Sequence, residues 1–297
     1  MKEAVGIAAA IVSTSTSGVA AAITRFVVGN ADPVTLAALR FGLGFLCILP
    51  LALALRCRWP RGRDLWAAAG LGVMMYAGFY ITYNSALAYT TAGRGTLCLS
   101  IMPLLTMAVA AMHGAERLSW RKTAGVAIAM AGVAAALVGG LPTAPAGAWR
   151  GDLLMVAAAL CMTFYNVWSR PFIGRSDPLG FTAASMGLGS LGLVVFAAAG
   201  GGFASTAAFG APQWASIAYL AIVGGAASSW FWVFALRRTT PTRAAATITV
   251  NPIAAAFTGA ILLGEPIGID LAIGVAAVAT GIWIASTDAR ATRRPAA

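Results

Sequence analysis

Ten stretches of predominantly apolar residues follow one another along the chain, near 4–24, 33–55, 65–88, 94–113, 121–140, 151–172, 178–200, 213–236, 243–263 and 268–287. Each has about the 20 residues that a helix needs to cross roughly 30 Å of hydrocarbon, and the connections are too short to hold a soluble domain. Lipid offers a backbone no hydrogen-bond partners, so spans of this length are expected to be α-helices, which satisfy their own N–H and C=O groups. The composition agrees: 60% of the 297 residues are hydrophobic and 10% are charged, against about 45–50% and 25% in soluble domains. A net charge of +11 spread over so few charged residues does not make the broad basic face that nucleic acid requires. The expected fold class is an all-α integral membrane protein with ten transmembrane helices.

Charge distribution predicts the orientation. With a cytoplasmic amino terminus and ten alternating spans, sixteen Lys and Arg residues fall on the cytoplasmic side. Arg25, Arg94 and Arg150 fall on the other side, and Arg40 lies within a span. This asymmetry places both termini in the cytoplasm of a bacterial-type inner membrane. The start, Met1-Lys2-Glu3, lacks the positive charge of a secretory signal. Cys47, Cys57, Cys98 and Cys161 form no C-x-x-C pair, and His113 is the sole histidine, so neither a metal nor another cofactor is expected.

The chain also repeats itself. ALAYTTAGRG (86–95) matches ALRRTTPTRA (235–244) at an offset of 149, which further aligns Pro103 with Pro252, Glu116 with Glu265, Gly125 with Gly274 and Gly132 with Gly281. Upstream, an offset of 145 sets Arg25 on Arg170, Asp32-Pro33 on Asp177-Pro178, and Gly42-x-Gly44 on Gly187-x-Gly189. Residues 1–145 and 146–290 are thus read as two five-helix repeats, with 291–297 as a cytoplasmic tail. An odd number of spans per unit forces the second copy to run opposite to the first. Inverted repeats of this kind are associated with secondary transporters whose substrate site lies at the midplane between the halves. Channels and membrane enzymes are also built by duplication.

In the first half, DPVTLAALRFGLG (32–44) resembles the second-helix pattern of the EamA-type drug/metabolite transporters, with a proline at the start and an arginine seven residues later. AERLSWRKTAGVAIAMAG (115–132) and GEPIGIDLAIGVAAVATG (264–281) resemble the same family's Glu, with glycine nine residues on and a second glycine seven beyond. The resemblance covers essentially the whole chain. The aromatic-rich third, sixth and eighth spans make it look most like the YddG-type aromatic amino acid exporters. One departure stands out: Arg40 aligns with Ser185, so the second half lacks the second-helix arginine.

Candidate site residues follow from polar and aromatic groups inside the spans. Tyr76, Tyr80, Tyr83, Asn84 and Leu87 fall on one face of the third helix, and such polar groups facing lipid would lack partners. That face is expected to point towards a cavity or a partner helix; Tyr83, near the outer end, also suits an interfacial aromatic belt. Cys161, Tyr165, Trp168 and Phe172 share a face of the sixth helix, with Phe164 about 100° away. Phe164, Trp168 and Trp230 suit either a cavity wall or a belt. Pro103 and Pro252 occupy equivalent mid-helix positions, each freeing the carbonyl four residues back, and serve either as static kinks or as hinges. Met102 and Asn251 stand beside them. In STSTS (13–17), Ser13 and Ser17 are expected to face the cavity while other hydroxyls fold back to the helix's own carbonyls. Arg40 has two roles open to it, a structural bond to backbone carbonyls or a grip on a substrate carboxylate.

The expected function is export of small metabolites by alternating access. The resemblance implies aromatic and other amino acids, with nucleotide sugars or organic cations as the alternative cargo. The expected partners are a small-molecule substrate and the lipid bilayer, with no nucleic acid, and a monomer suffices. A lipid-modifying enzyme would need clustered catalytic groups at one interface, and nine scattered carboxylates offer none. No Walker motif is present, and the carboxylates lie near span ends; a facilitator driven by the substrate gradient is therefore expected.

Overall fold

The computed structural model describes residues 2–113, 120–140, 142 and 144–286. Among these residues the regular structure is entirely helical. Eight helices are long and apolar enough to cross a membrane: α1 (Glu3–Val27), α2 (Pro33–Ala54), α3 (Arg63–Tyr89), α4 (Ala92–Met112), α6 (Ala148–Trp168), α7 (Pro178–Ala199), α8 (Ala211–Arg238) and α9 (Pro241–Leu263). The apolar parts of α5 (Trp120–Gly139) and α10 (Ile269–Ser286), Thr123–Gly139 and Ile269–Gly281, fall short of that length. Glu116 and the tail 291–297 lie outside the described residues. Large apolar side chains such as Leu46, Phe196 and Ile261 cover the exposed surface, as lipid contact requires.

The sequence accounts for how these helices begin and break. Asp32 caps α2, its carboxylate accepting from the N–H groups of Val34 and Thr35, with Pro33 in the first turn. Thr91 and Thr240, equivalent at an offset of 149, cap α4 and α9 in the same way through the N–H groups of Arg94 and Arg243. Pro103 has no N–H for the Leu99 carbonyl, and α4 is interrupted just upstream at Ser100–Ile101, where tighter i→i−3 bonds replace the ladder. Ahead of Pro252, α9 tightens into a 3₁₀ turn, Thr247–Thr249.

Two features depart from the sequence reading. The sixth span stops at Trp168 rather than near residue 172, because Pro171 cannot continue the ladder; Phe172 belongs to a separate short helix, Arg170–Arg175. In addition, α3 and α8 each contain a π-helical segment, Val73–Phe79 and Ile222–Ala227, whose starts are also related by 149 residues. An extra residue per turn leaves little mark on an apolar pattern.

Packing follows a rule of exchange. α1 packs on α8 and α9, and α6 packs on α3 and α4; α3 meets α7 as α2 meets α8. The pairs α2·α7, α4·α9 and α5·α10 map onto themselves when the halves are swapped. Lipid is as apolar as leucine, so close backbone approach and interhelical polar bonds must hold such pairs together. A Cβ at Gly72 would overlap the Ser185 carbonyl, one at Gly189 would overlap the Gly72 backbone, and one at Gly132 would overlap Ala277.

Candidate functional site

The third-helix tyrosines lie in the interior. Tyr76, Tyr80, Tyr83 and Asn84 are all buried. The Phe41 ring of α2 lies 4.9 Å from that of Tyr76 and 4.2 Å from that of Tyr80, while Phe79 packs on Tyr80 and Tyr83 at 4.6 and 5.4 Å. These rings fill the space between α2 and α3 in this conformation rather than walling an open one. Asn84 reaches back to the start of α2, its amide donating to the Pro33 carbonyl at 3.1 Å.

Arg40 sits beside the same rings. Its guanidinium carbon lies 4.7 Å from the centre of the Tyr80 ring and 5.3 Å from that of Phe41. The side chain is buried, with 2% of its surface exposed. Nη2 donates to the Gly224 carbonyl of α8 at 2.6 Å, whereas Nε and Nη1 have no hydrogen-bond partner.

The STSTS run divides in two. Ser13 Oγ donates to the Ser228 carbonyl at 2.8 Å, and the Ser13 and Ser17 hydroxyls each lie 3.0 Å from that of Ser228 on α8. Thr14 and Thr16 instead donate to carbonyls within α1. The fold-back expected of the other hydroxyls is seen at Thr14 and Thr16, whereas Ser13 and Ser17 face a partner helix in this conformation, because successive residues point 100° apart.

On the other side, Asn166 of α6 accepts from Trp232 Nε1 of α8 at 2.9 Å, and its amide nitrogen points at the Met102 sulfur 3.8 Å away. This buried link joins three helices, and sequence reasoning missed Asn166, Trp232 and Ser228. The signal was available in Asn166, an amide in an apolar span that needs a partner. Asn251 is buried on α9, with its Oδ1 unpartnered. Phe164 and Trp168 stand apart from this cluster. Trp168 is 43% exposed at the end of α6 and donates to His113 Nε2 at 3.3 Å, with Phe164 stacked on it at 4.8 Å. Trp230 is partly buried against Phe231 and Phe234.

Ion pairs tie the helix ends. At one end Arg94 grips Asp152 and donates to the Leu137 carbonyl at 2.6 Å. There Arg25 lies 3.6 Å from Glu265 and donates to the carbonyls of Leu87 and Ala88. Glu265 accepts from the Ala92 N–H at 3.0 Å; burial pushes its carboxyl above the ordinary range, while that N–H and Arg25 pull the other way. A crevice of about 700 Å³, including its open mouth, lies here between Arg94, Leu97, Ala136, Glu265 and Asp270. At the opposite end Arg243 pairs with Glu3, Arg58 and Arg237 with Asp177, and Arg175 with Asp64. Carboxylates thus meet arginines at the ends, and none reaches the buried Arg40 among the described residues.

The profile of the EamA-like transporter family matches residues 4–138 and 149–287. An uncharacterized transporter of Archaeoglobus fulgidus is 24% identical over 274 residues, covering 90% of this chain and 93% of that one. A probable terminal-alkyne amino-acid exporter of Streptantibioticus cattleyicolor is 29% identical over 230 residues, 75% of each chain. A crystal structure at 21% identity superposes with a TM-score of 0.70 over 97% of both chains, a likeness of fold.

Proposed function

The chain belongs to the EamA-like transporter family, and on that footing we propose that it exports amino acids or similar small metabolites by alternating access. It is a multi-pass membrane transporter and not an enzyme. The observation that carries the finer reading is the exchange rule in the packing. Helix contacts recur when the halves are swapped, and the aligned arginines Arg94 and Arg243 pair with Asp152 and Glu3 at opposite ends of the bundle. Such a pattern supports ten membrane-crossing segments arranged as two inverted five-helix repeats, which rock against each other about the midplane. The irregular turns before Pro103 and Pro252, and the π-helical segments of α3 and α8, are the natural bending points.

In this reading the Arg-rich end faces the cytoplasm of an inner membrane, along with both termini. Arg40, Tyr76, Tyr80, Tyr83, Ser13, Ser17, Asn84, Met102 and Asn251 are uncovered as the halves part, while Phe164, Trp168 and Trp230 flank the cytoplasmic mouth. An amino-acid cargo is favoured by one relative, a probable terminal-alkyne amino-acid exporter, and by the aromatic faces around the centre. The test is counterflow uptake into proteoliposomes against amino acids, neutral sugars and organic cations. Amino-acid exchange that Tyr80→Ala reduces is the expected result, and exchange of sugars or cations alone would reject that cargo. A flux unchanged by an imposed pH gradient would mark a facilitator.

A further inference from the structure

A guanidinium in the interior of a membrane protein normally has its charge answered by a carboxylate or by several carbonyls. Arg40 has one carbonyl, that of Gly224, and no carboxylate within ion-pair distance among the described residues. Two of its three nitrogens are unpartnered although the side chain is 2% exposed. Around it stand the ring faces of Phe41 and Tyr80, which attract a cation but accept no full hydrogen bond. Purely structural arginines in this protein look different: Arg94 has a carboxylate and a carbonyl, and Arg25 has a carboxylate and two carbonyls.

The single carbonyl on Arg40 comes from the π-helical segment of α8. There a Cβ at Gly224 would lie 3.3 Å from Arg40 Nη2 and 2.9 Å from Ala20 of α1. The bare glycine lets the backbone cap one side of the guanidinium, and a shift of that segment would uncover the charge from the α8 side. The aligned position in the second half is Ser185, whose hydroxyl bonds within its own helix at the Phe181 carbonyl. The central charge is therefore one-sided, a lone positive group with spare donors.

Building on the transport reading above, we propose that Arg40 is the receptor for a carboxylate of the transported molecule. A single positive charge matches a monocarboxylate, and the neighbouring rings suit an apolar or aromatic remainder. The same charge repels organic cations, which removes them from the cargo. Bound carboxylate takes one of the free donors, Nε–H on one edge of the guanidinium or Nη1–H on the other, and export then depends on the acid group rather than on side-chain shape alone.

The experiment uses the full chain in proteoliposomes, with labelled L-phenylalanine, L-phenylalaninamide and phenethylamine as counterflow probes beside the wider panel. The acid should exchange, with the amide and the amine weaker by on the order of a hundredfold. Arg40→Gln should erase that preference and Arg40→Lys should keep part of it, both judged on protein that elutes and melts like the parent. If Arg40→Gln does not fold, the acid-to-amide comparison on the unaltered protein decides alone. Equal exchange of acid, amide and amine, or a preference that survives Arg40→Gln, overturns the assignment. Exchange of sugars or cations without any carboxylate overturns it while leaving transport standing. Exchange of nothing in the panel removes the transport reading itself and this inference with it.

Discussion

Arg94 holds Asp152 through two parallel hydrogen bonds, Nε to Oδ1 at 3.2 Å and Nη2 to Oδ2 at 2.7 Å, across the junction of α4 and α6. Arg243 of α9, which aligns with Arg94 at an offset of 149, pairs with Glu3 of α1 at the other end of the bundle. The two links share an aligned arginine and differ in setting. The Arg94 and Asp152 side chains are 10% and 16% exposed, those of Arg243 and Glu3 39% and 48%.

That inequality predicts unequal consequences. Asp152→Asn leaves a largely buried guanidinium without its carboxylate and should destabilise the protein by about 1–3 kcal/mol. Glu3→Gln removes a solvent-screened pair worth about 1 kcal/mol or less. Thermal unfolding of both variants in one detergent checks the order; equal losses would contradict it.

Two glycines three residues apart on α7 should behave oppositely. Gly189→Ala drives a methyl into the Gly72 backbone of α3, whereas a Cβ at Gly192 meets nothing within 4 Å. The first should cost about 1–3 kcal/mol through overpacking. The second should be neutral, or gain up to about 1 kcal/mol from helix propensity. Melting temperatures of the two variants decide it.

The serine hub between α1 and α8 is open to a double-mutant cycle. Ser13→Ala and Ser228→Ala each remove one side of the hydroxyl–hydroxyl contact, while the Ser228 carbonyl stays in place. Their coupling energy should be near the roughly 0.6 kcal/mol typical of interhelical bonds in membranes. A coupling indistinguishable from zero would mean that the hydroxyls are held independently.

Glu265, between α9 and α10, should make stability depend on pH. Burial raises its carboxyl above the ordinary range. The ionised form is then less favourable in the folded protein than in the unfolded chain. Its contribution is fully present below the ordinary carboxylate value of about 4.3 and is lost as pH rises through the raised value. Glu265→Gln keeps an acceptor for the Ala92 N–H without the titration. The melting temperature of the parent relative to this variant should therefore fall as the pH rises above about 4.3. A flat difference would refute the burial argument.

Much of the architecture was legible from residue order alone. Apolar stretches of helix length locate the spans, because lipid allows an isolated backbone few other forms. The aligned Pro103 and Pro252 foretold where α4 and α9 lose regularity, since a missing N–H is a local fact. The burial of Tyr76, Tyr80 and Asn84 followed from the cost of leaving polar groups in hydrocarbon. The π-helical segments escaped notice because an extra residue per turn leaves an apolar pattern unchanged, and the sixth span was read past Pro171.

Partnership is what residue order left undetermined. STSTS announced hydroxyls that need acceptors, but only the packing of α1 on α8 chose Ser228 for Ser13 and Ser17. Arg40 announced a buried charge with two possible duties. Only the assembled bundle placed one carbonyl on it and left Nε and Nη1 unanswered. The reason is physical: a span's composition and breaks are set by the medium and its own backbone, whereas a side chain's partner depends on helices hundreds of residues away brought to within a few ångströms.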